Sequence, residues 1–301
     1  MKTLVVGANG QLGRELVNLG KQMGIPIIAS GRAELDMTRP EDISSAIRFA
    51  RPDVIINAAS YTAVDKAEEE TDQAFLINRT GPANLATACA KNGITLVHIS
   101  TDYVFDGAAE RPYIETDTPN PETVYGRSKL AGDEVIAASA ERYYIIRTSW
   151  VFGAYGQNFV STMLRLGEKG EELKVVADQF GCPTWARDIA SIIFTITARL
   201  ENDRIPWGTY HYSGAPKTNW YDFSNAIFDL AARLEMIDRL PRVLPVSTEE
   251  SPTLAMRPLM SVLDCSKIMD ALDITRPNWE PGLKAVLEIW KQQSQNPEET
   301  L

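Results

Sequence analysis

Three short stretches hold residue types at spacings that suit redox and acid–base chemistry. In Tyr125-Gly126-Arg127-Ser128-Lys129 a phenol and an ammonium stand four residues apart, which puts both on one face of a helix. A neighbouring ammonium stabilises phenolate, so it draws a tyrosine down from about 10 toward the working range and makes the phenol a usable general acid. The same spacing also suits an ordinary surface pair. The second stretch, Ser100-Thr101-Asp102, separates the readings: it closes a strand-like run 24 residues before Tyr125 and offers a hydroxyl to the same carbonyl oxygen. The third is Gly7-Ala8-Asn9-Gly10-Gln11-Leu12-Gly13, set between an apolar run and a helical pattern. Glycines there allow a tight turn, the approach of backbone N–H groups to a pyrophosphate, and close packing of helix on strand. A plain structural turn is the alternative, and the strand before and helix after favour a dinucleotide loop.

These groups need a rigid frame, and the first half supplies one. Short apolar runs at 3–7, 25–30, 53–59, 94–100 and 143–150 alternate with segments of helical spacing. Continuous apolar runs separated by helices read as parallel strands buried on both faces, hence an α/β, Rossmann-like doubly wound sheet. Thr38 and Glu41 around Pro40 predict a capping box at one helix start. After residue 150 the rhythm loosens: helices near 158–168, 187–200, 220–234 and 282–292, short strands at 173–177 and 209–214, and a Pro-rich connection between the last two helices. The expected division is an NAD(P)-binding Rossmann domain over 1–150, with elements near 185–214 returning to it, and a mainly substrate-binding lobe over 151–301. The tail from Gln292 reads as a frayed end.

Composition excludes whole classes. With 40 acidic against 30 Lys and Arg residues, the chain of 301 residues carries a formal charge of −10, which disfavours nucleic acid and anionic membranes as partners. A hydrophobic share of 44% argues against disorder. There is no run of about 18 apolar residues and no signal-peptide pattern at the start, so a cytoplasmic location is expected. Cys89, Cys182 and Cys265 lie far apart with no CxxC, and read as free buried thiols.

The second apolar run ends in Ser30-Gly31-Arg32 without an acid. An acid there holds the ribose 2′-hydroxyl of NAD(H), whereas a cation accommodates the 2′-phosphate of NADP(H). Arg32 reads as that cation, against the alternative of a solvated loop arginine; NADPH is the expected cofactor, with NADH second. Asp36 and Met37 sit where such proteins place an acid and an apolar residue around adenine.

The GxxGxxG spacing points to the longer, sugar-nucleotide-processing form of the short-chain dehydrogenases. Further strings narrow this: Asn57-Ala58-Ala59-Ser60-Tyr61-Thr62 continuing to Glu68, STDYVFDG at 100–107, YGRSKLAGDE at 125–134, RTSWVFG at 147–153, NFVSTMLRL at 158–166, DQFGCPT at 178–184 and RPLMSVLD at 257–264. Over nearly its whole length the chain resembles the dTDP-4-dehydrorhamnose reductases. The resemblance implies that Tyr125 protonates the sugar C4 oxygen, that Lys129 holds the nicotinamide ribose, and that Thr101 replaces the usual dehydrogenase serine. It implies cofactor contacts from Gly7, Asn9, Gly10, Gln11 and Leu12 at the pyrophosphate, from Asp36 and Met37 at the adenosine, and from Ala58, Ala59, Ser60, Tyr61 and Thr62 beneath the nicotinamide side. Val64, Thr101, Asp102, Tyr125 and Trp150 would face a dTDP-sugar, with core packing as the alternative for Trp150, and Arg257 would reach its pyrophosphate. A homodimer is left open. Some members bridge a dimer through magnesium; Glu15 matches one ligand, but Arg187 stands where an acid is expected, so no metal is assigned. His98 and His211 read as core histidines, and the charge run Asp65, Lys66, Glu68, Glu69, Glu70 as a solvated helix face. The resemblance implies reduction of dTDP-4-dehydro-β-L-rhamnose. Rival readings are a reductase of another nucleotide-linked keto sugar and a binding subunit like the regulatory subunit of methionine adenosyltransferase; the intact Thr101, Tyr125 and Lys129 favour an enzyme.

Overall fold

Alternation within each apolar run decides which way its side chains go. Val5, Val54, Ile56, Val97 and Ile146 enter one core, while Leu4, Val6, Ile55, Leu96 and Ile145 enter another on the opposite face, as the two-residue period of a strand requires. The chain is seen in a computed structural model that describes residues 1–170, 172–200 and 205–295. Strands β1 (Thr3–Val6), β2 (Ile27–Ser30), β3 (Val54–Asn57), β4 (Thr95–Thr101) and β5 (Tyr143–Thr148) form one parallel sheet. Helices α1 (Gln11–Gln22), α2 (Pro40–Ala50), α3 (Val64–Glu69), α4 (Thr71–Phe75), α5 (Gly81–Asn92) and α6 (Val124–Ser139) connect them.

The second half begins with β6 (Val151–Phe152), α7 (Phe159–Gly167), β7 (Leu173–Val176), β8 (Phe180–Gly181), β9 (Thr184–Trp185) and α8 (Ala186–Ala198). Strand β10 (Gly208–His211) then rejoins the main sheet beside β5, giving the order β10-β5-β4-β3-β1-β2. There follow β11 (Thr218–Asn219), α9 (Trp220–Arg233), β12 (Val243–Val246), α10 (Ser266–Leu272) and α11 (Trp279–Gln295). Phe152, Val160, Phe223, Phe228, Trp279 and Leu287 fill a separate smaller core. The order reverses between β1 and β3, so the connections leaving their carboxyl ends part and open a crevice, the usual ligand position in such sheets.

Several local expectations change. Thr38 does not cap α2: its hydroxyl donates to Asp36 Oδ1, the N-cap is Arg39, and Glu41 accepts from the Arg39 side chain. A nearer carboxylate has outcompeted the helix terminus for the threonine. The Pro-rich connection pairs β12 with β7 in parallel and carries α10, neither of which its composition signals. Residues 292–295 continue α11, and the rest of the tail lies outside the described residues. In the charge run, Lys66 and Glu69 are exposed, but Asp65 pairs with Arg257, Glu68 accepts the Val124 amide at 2.8 Å, and Glu70 accepts the Tyr61 hydroxyl.

Candidate active site

The crevice begins at the glycine loop. Gly7 has φ +82° and a Cβ there would lie 2.7 Å from the Ala59 nitrogen, so the turn and the neighbouring connection both require glycine. At Gly13 a Cβ would come within 2.1 Å of the Gly7 carbonyl oxygen, which fixes how closely α1 sits on β1. The N-cap of α1 is Gly10, with no side-chain cap. The first-turn amides therefore keep their capacity for an anion. Gly7, Asn9, Gly10, Ala58, Ala59 and Ser60 line a cavity of about 280 Å³ together with Arg32, Asp36 and Met37. Arg32 is 77% exposed and stands 3.9 Å from Asp36. Hydrogen bonds from Thr38 hold the Asp36 carboxyl below its ordinary value, with Arg32 and Arg39 adding to the effect against burial. A glycine cradle, a helix N-terminus and an outer cation fit a dinucleotide with a 2′-phosphate.

A second cavity, about 510 Å³, continues from the first, since Gly10, Ala58, Ala59 and Ser60 border both. It brings Gln11, Leu12, Thr62 and Val64 together with Thr101, Asp102, Tyr125, Lys129 and Trp150. Tyr61 borders neither cavity; its hydroxyl donates to Glu70 at 2.6 Å, and that carboxylate pushes the phenol up to about 12.

Two caps place the reactive helix. Thr123 accepts the Gly126 amide at 2.9 Å and Glu68 the Val124 amide at 2.8 Å, so α6 starts immediately before Tyr125 and carries Lys129 one turn on. Thr101 ends β4, donates to Asp102 Oδ1 at 3.0 Å and accepts from the Tyr103 amide at 3.2 Å. Ser100 turns the other way, into the interior, and donates to Asp133. Burial pushes Asp102 up to about 7, against hydrogen bonds from Thr101 and Ser261. Burial draws Lys129 down to about 8 against the attraction of Asp133. The spacing of Tyr125 and Lys129 predicts a phenol eased downward, but Tyr125 is pushed above its ordinary value. Burial is the main cause, Asp102, Tyr103 and Asp133 add to it, and a hydrogen bond with Thr101 opposes it.

Trp150 sits past the end of β5 at φ +48°, a left-handed conformation rare for a bulky residue. Its ring stacks on Trp220 at 3.5 Å between centroids, and a Cβ on Gly181 would collide with it at 2.3 Å. Trp150 is thus braced by Trp220 and also borders the second cavity. Gln11 links the two halves of the cleft: its side chain donates to Val151 O and accepts from Asn158, while its amide lies in the first turn of α1.

Sequence reasoning missed the polar cluster behind Lys129, formed by Asn57, His98, Asp133 and Arg147, all buried. Only the four-residue step from Lys129 to Asp133 on α6 signals it; the others come from separate strands. His211 is buried, its Nδ1–H donates to Tyr113 O at 3.0 Å, and burial holds its pKa down near about 3. Glu15 faces the Arg187 guanidinium at 3.7 Å. A cation already occupies that approach, so these residues do not fit a bridging magnesium.

Comparison with known proteins shows the family. Residues 1–292 match the model of the RmlD substrate binding domain. The chain is 42% identical over 287 residues to the dTDP-4-dehydrorhamnose reductase of Aggregatibacter actinomycetemcomitans, covering 95% of this chain and 98% of that one. A crystal structure of a dTDP-4-dehydrorhamnose reductase from Clostridium acetobutylicum superposes with TM-score 0.89 at 40% identity, covering 97% of this chain and all of that one. Another from Bacillus anthracis, in complex with NADP, gives 0.88 at 38% identity over 96% of this chain and 100% of that one.

Proposed function

This chain belongs to the family of dTDP-4-dehydrorhamnose reductases, and from that premise we propose how its own residues carry the reaction. The enzyme reduces the C4 keto group of dTDP-4-dehydro-β-L-rhamnose with NADPH to give dTDP-β-L-rhamnose, the last step of dTDP-rhamnose synthesis. Bound NADPH supplies the hydride. Tyr125 gives its phenolic proton to the C4 oxygen; the burial that pushes this phenol upward keeps it protonated at neutral pH. Lys129 holds the nicotinamide ribose and a replacement proton. Thr101 orients the sugar oxygen: with Asp102 protonated, the carboxyl donates to Thr101, and the threonine hydrogen turns to the substrate. Trp150 and Val64 exclude water around the sugar, and Arg257, held by Asp65, takes the diphosphate. Arg32 takes the cofactor 2′-phosphate.

The observation that carries this reading is the shared cleft, in which Thr101, Tyr125 and Lys129 open onto the same cavity as the α1 N-terminus. Residues 1–150, with the elements near 185–214 that return to them, form the cofactor-binding domain, and the remainder of 151–301 is mainly the sugar-nucleotide lobe. The reaction belongs in the cytoplasm, where the buried thiols of Cys89, Cys182 and Cys265 stay reduced. Among the described residues no helix is long and apolar enough to cross a membrane. The test follows NADPH oxidation with dTDP-4-dehydrorhamnose beside a panel of other nucleotide keto sugars. Turnover is expected with the first, and turnover only with another sugar would refute the substrate assignment.

A further inference from the structure

Behind Lys129 lies a buried polar cluster with an unusual arrangement of donors. The Ala59 amide donates to Asn57 Oδ1 at 3.1 Å, which turns the Asn57 NH₂ toward His98 Nδ1 at 2.9 Å. Nδ1 must then accept, so the ring proton resides on Nε2. His98 stays neutral, since burial and the Lys129 charge both hold its pKa well below the usual value. Nε2 stands 3.3 Å from Lys129 Nζ and 3.9 Å from Asp133 Oδ1.

This gives Lys129 two neighbours with opposite demands. An ammonium facing an N–H meets donor with donor, whereas an amine offers that N–H a lone pair. Asp133 acts the other way. Its Oδ2 is held by Ser100 at 2.8 Å and by Arg147 at 3.2 Å, while Oδ1 has no hydrogen-bond partner among the described residues, a costly state for a buried carboxylate. Its charge favours the ammonium. Lys129 donates one hydrogen bond to Ile99 O at 2.6 Å, which fixes Nζ beside the His98 ring. The other charged or titratable groups around the pair are Arg147 on β5 and, on the Tyr125 side, Asp102 and Tyr103; Glu68 of α3 is taken by the Val124 amide.

We propose that His98 and Asp133 are an opposed pair of positioning residues that set the proton occupancy of Lys129, the ring N–H favouring the amine and the carboxylate the ammonium. The reaction gives this balance a use. When Tyr125 passes its proton to the sugar oxygen, a phenolate remains; Lys129 supplies the replacement proton, becomes an amine, and accepts from His98 Nε2–H. Solvent returns the proton when product leaves. An ammonium held too firmly would not release its proton, and one held too weakly would not have it at neutral pH; burial, against the attraction of Asp133, brings Lys129 to about 8.

The inference rests on the reading of Tyr125 and Lys129 as the proton-donating pair. Its test is the titration of Lys129 in the full chain, read from the lysine ¹³Cε NMR signal assigned by its loss in Lys129→Met, beside the pH profile of kcat. His98→Gln, whose amide can present a carbonyl oxygen, should move the Lys129 transition and the basic limb of kcat up by about one pH unit. Asp133→Asn should move both down by about one unit, and Asp133→Glu should return them toward the wild type. His98→Asn stands in if His98→Gln does not fold. Opposite displacements support the pair; any other pattern, including equal shifts or shifts below about 0.3 unit in both, overturns it. Full turnover in Tyr125→Phe would instead refute the underlying donor assignment while leaving the NMR displacements intact.

Discussion

The two ends of the cleft hold charge in different ways. At the adenosine end the site is made of backbone and glycine, and its titratable groups are solvated, as in the Arg32–Asp36 pair with Arg32 77% exposed. At the reaction end Asp102, Lys129 and Asp133 are all buried, at 3%, 2% and 3% exposure. Water screens the first set, so each charge there contributes little and acts alone. The second set is desolvated, so each charge moves its neighbours' protons and a single atom deletion propagates. In the proposed reaction one end recognises and the other holds protons.

The largest expected effect therefore falls at the buried end. Tyr125→Phe should lower kcat by about 10²–10⁴-fold while the NADPH dissociation constant, read by fluorescence, stays near the wild-type value. Retention of more than about a third of turnover would make the two ends alike and the contrast false. Trp150→Ala comes next, with KM for the sugar nucleotide rising about tenfold and KM for NADPH little changed. If Trp150 were only a core residue, the change would appear instead as about 3–5 kcal/mol of lost stability. Because of the left-handed backbone there, Trp150→Gly should melt above Trp150→Ala, by about 1 kcal/mol in stability.

A smaller effect is expected from Asp102→Asn, and it appears in pH dependence. With Asp102 pushed up to about 7, the folded chain keeps this proton from roughly pH 4 to 7, where the unfolded chain has lost it. Its contribution to stability falls as pH rises through that window and is flat above it. The melting temperature of Asp102→Asn should gain steadily on the wild type from pH 4 to pH 7 and hold its lead beyond; a constant gap would show that Asp102 is ionised throughout. The smallest effect is at the exposed end: Arg32→Ala should cost NADPH binding about 1 kcal/mol, less than a buried charge-assisted bond, and leave NADH untouched. Salt should erase most of that difference. A loss that persists in high salt would mean that Arg32 is buried on binding, and the contrast between the ends would narrow.

The same contrast explains what the sequence disclosed. The glycine loop, the β4 terminus and the Tyr125–Lys129 pair are local patterns whose chemistry depends on spacing within one element, and the runs that form β1 to β5 announce themselves by continuous apolarity. The cluster behind Lys129 is assembled from β3, β4, α6 and β5, and nothing along the chain links Asn57 to Arg147. Tyr61 belongs to a legible string, yet its side chain answers to Glu70, nine residues on, rather than to the crevice. Thr38 and Glu41 had the right spacing for a cap, and a carboxylate two residues away decided otherwise. Charged residues 65 to 70 looked solvated because a sequence shows the helix that carries them and not the strap at 255–257 that three-dimensional packing brings against Asp65.

The return of β10 to the sheet has a consequence for how the chain is made. Residues 1–150 hold five of the six strands, but the face of α1 that carries Leu12 and Leu16 packs with Ile189, Ile193 and Ile196 of α8, and that core is closed further by Leu263, Ile268 and Leu272. An N-terminal half emerging during synthesis cannot seal its own interior. It must wait for α8, which ends at Ala198, before the face of α1 is covered, and for α10, which ends at Leu272, before that core is closed. Pairing between partners so distant in sequence carries a high loop-closure cost and is slow to form. The half-built sheet, open along β5 and bare over α1, is the species most exposed to aggregation. Chain order, more than local stability, sets when the cofactor cradle first becomes rigid.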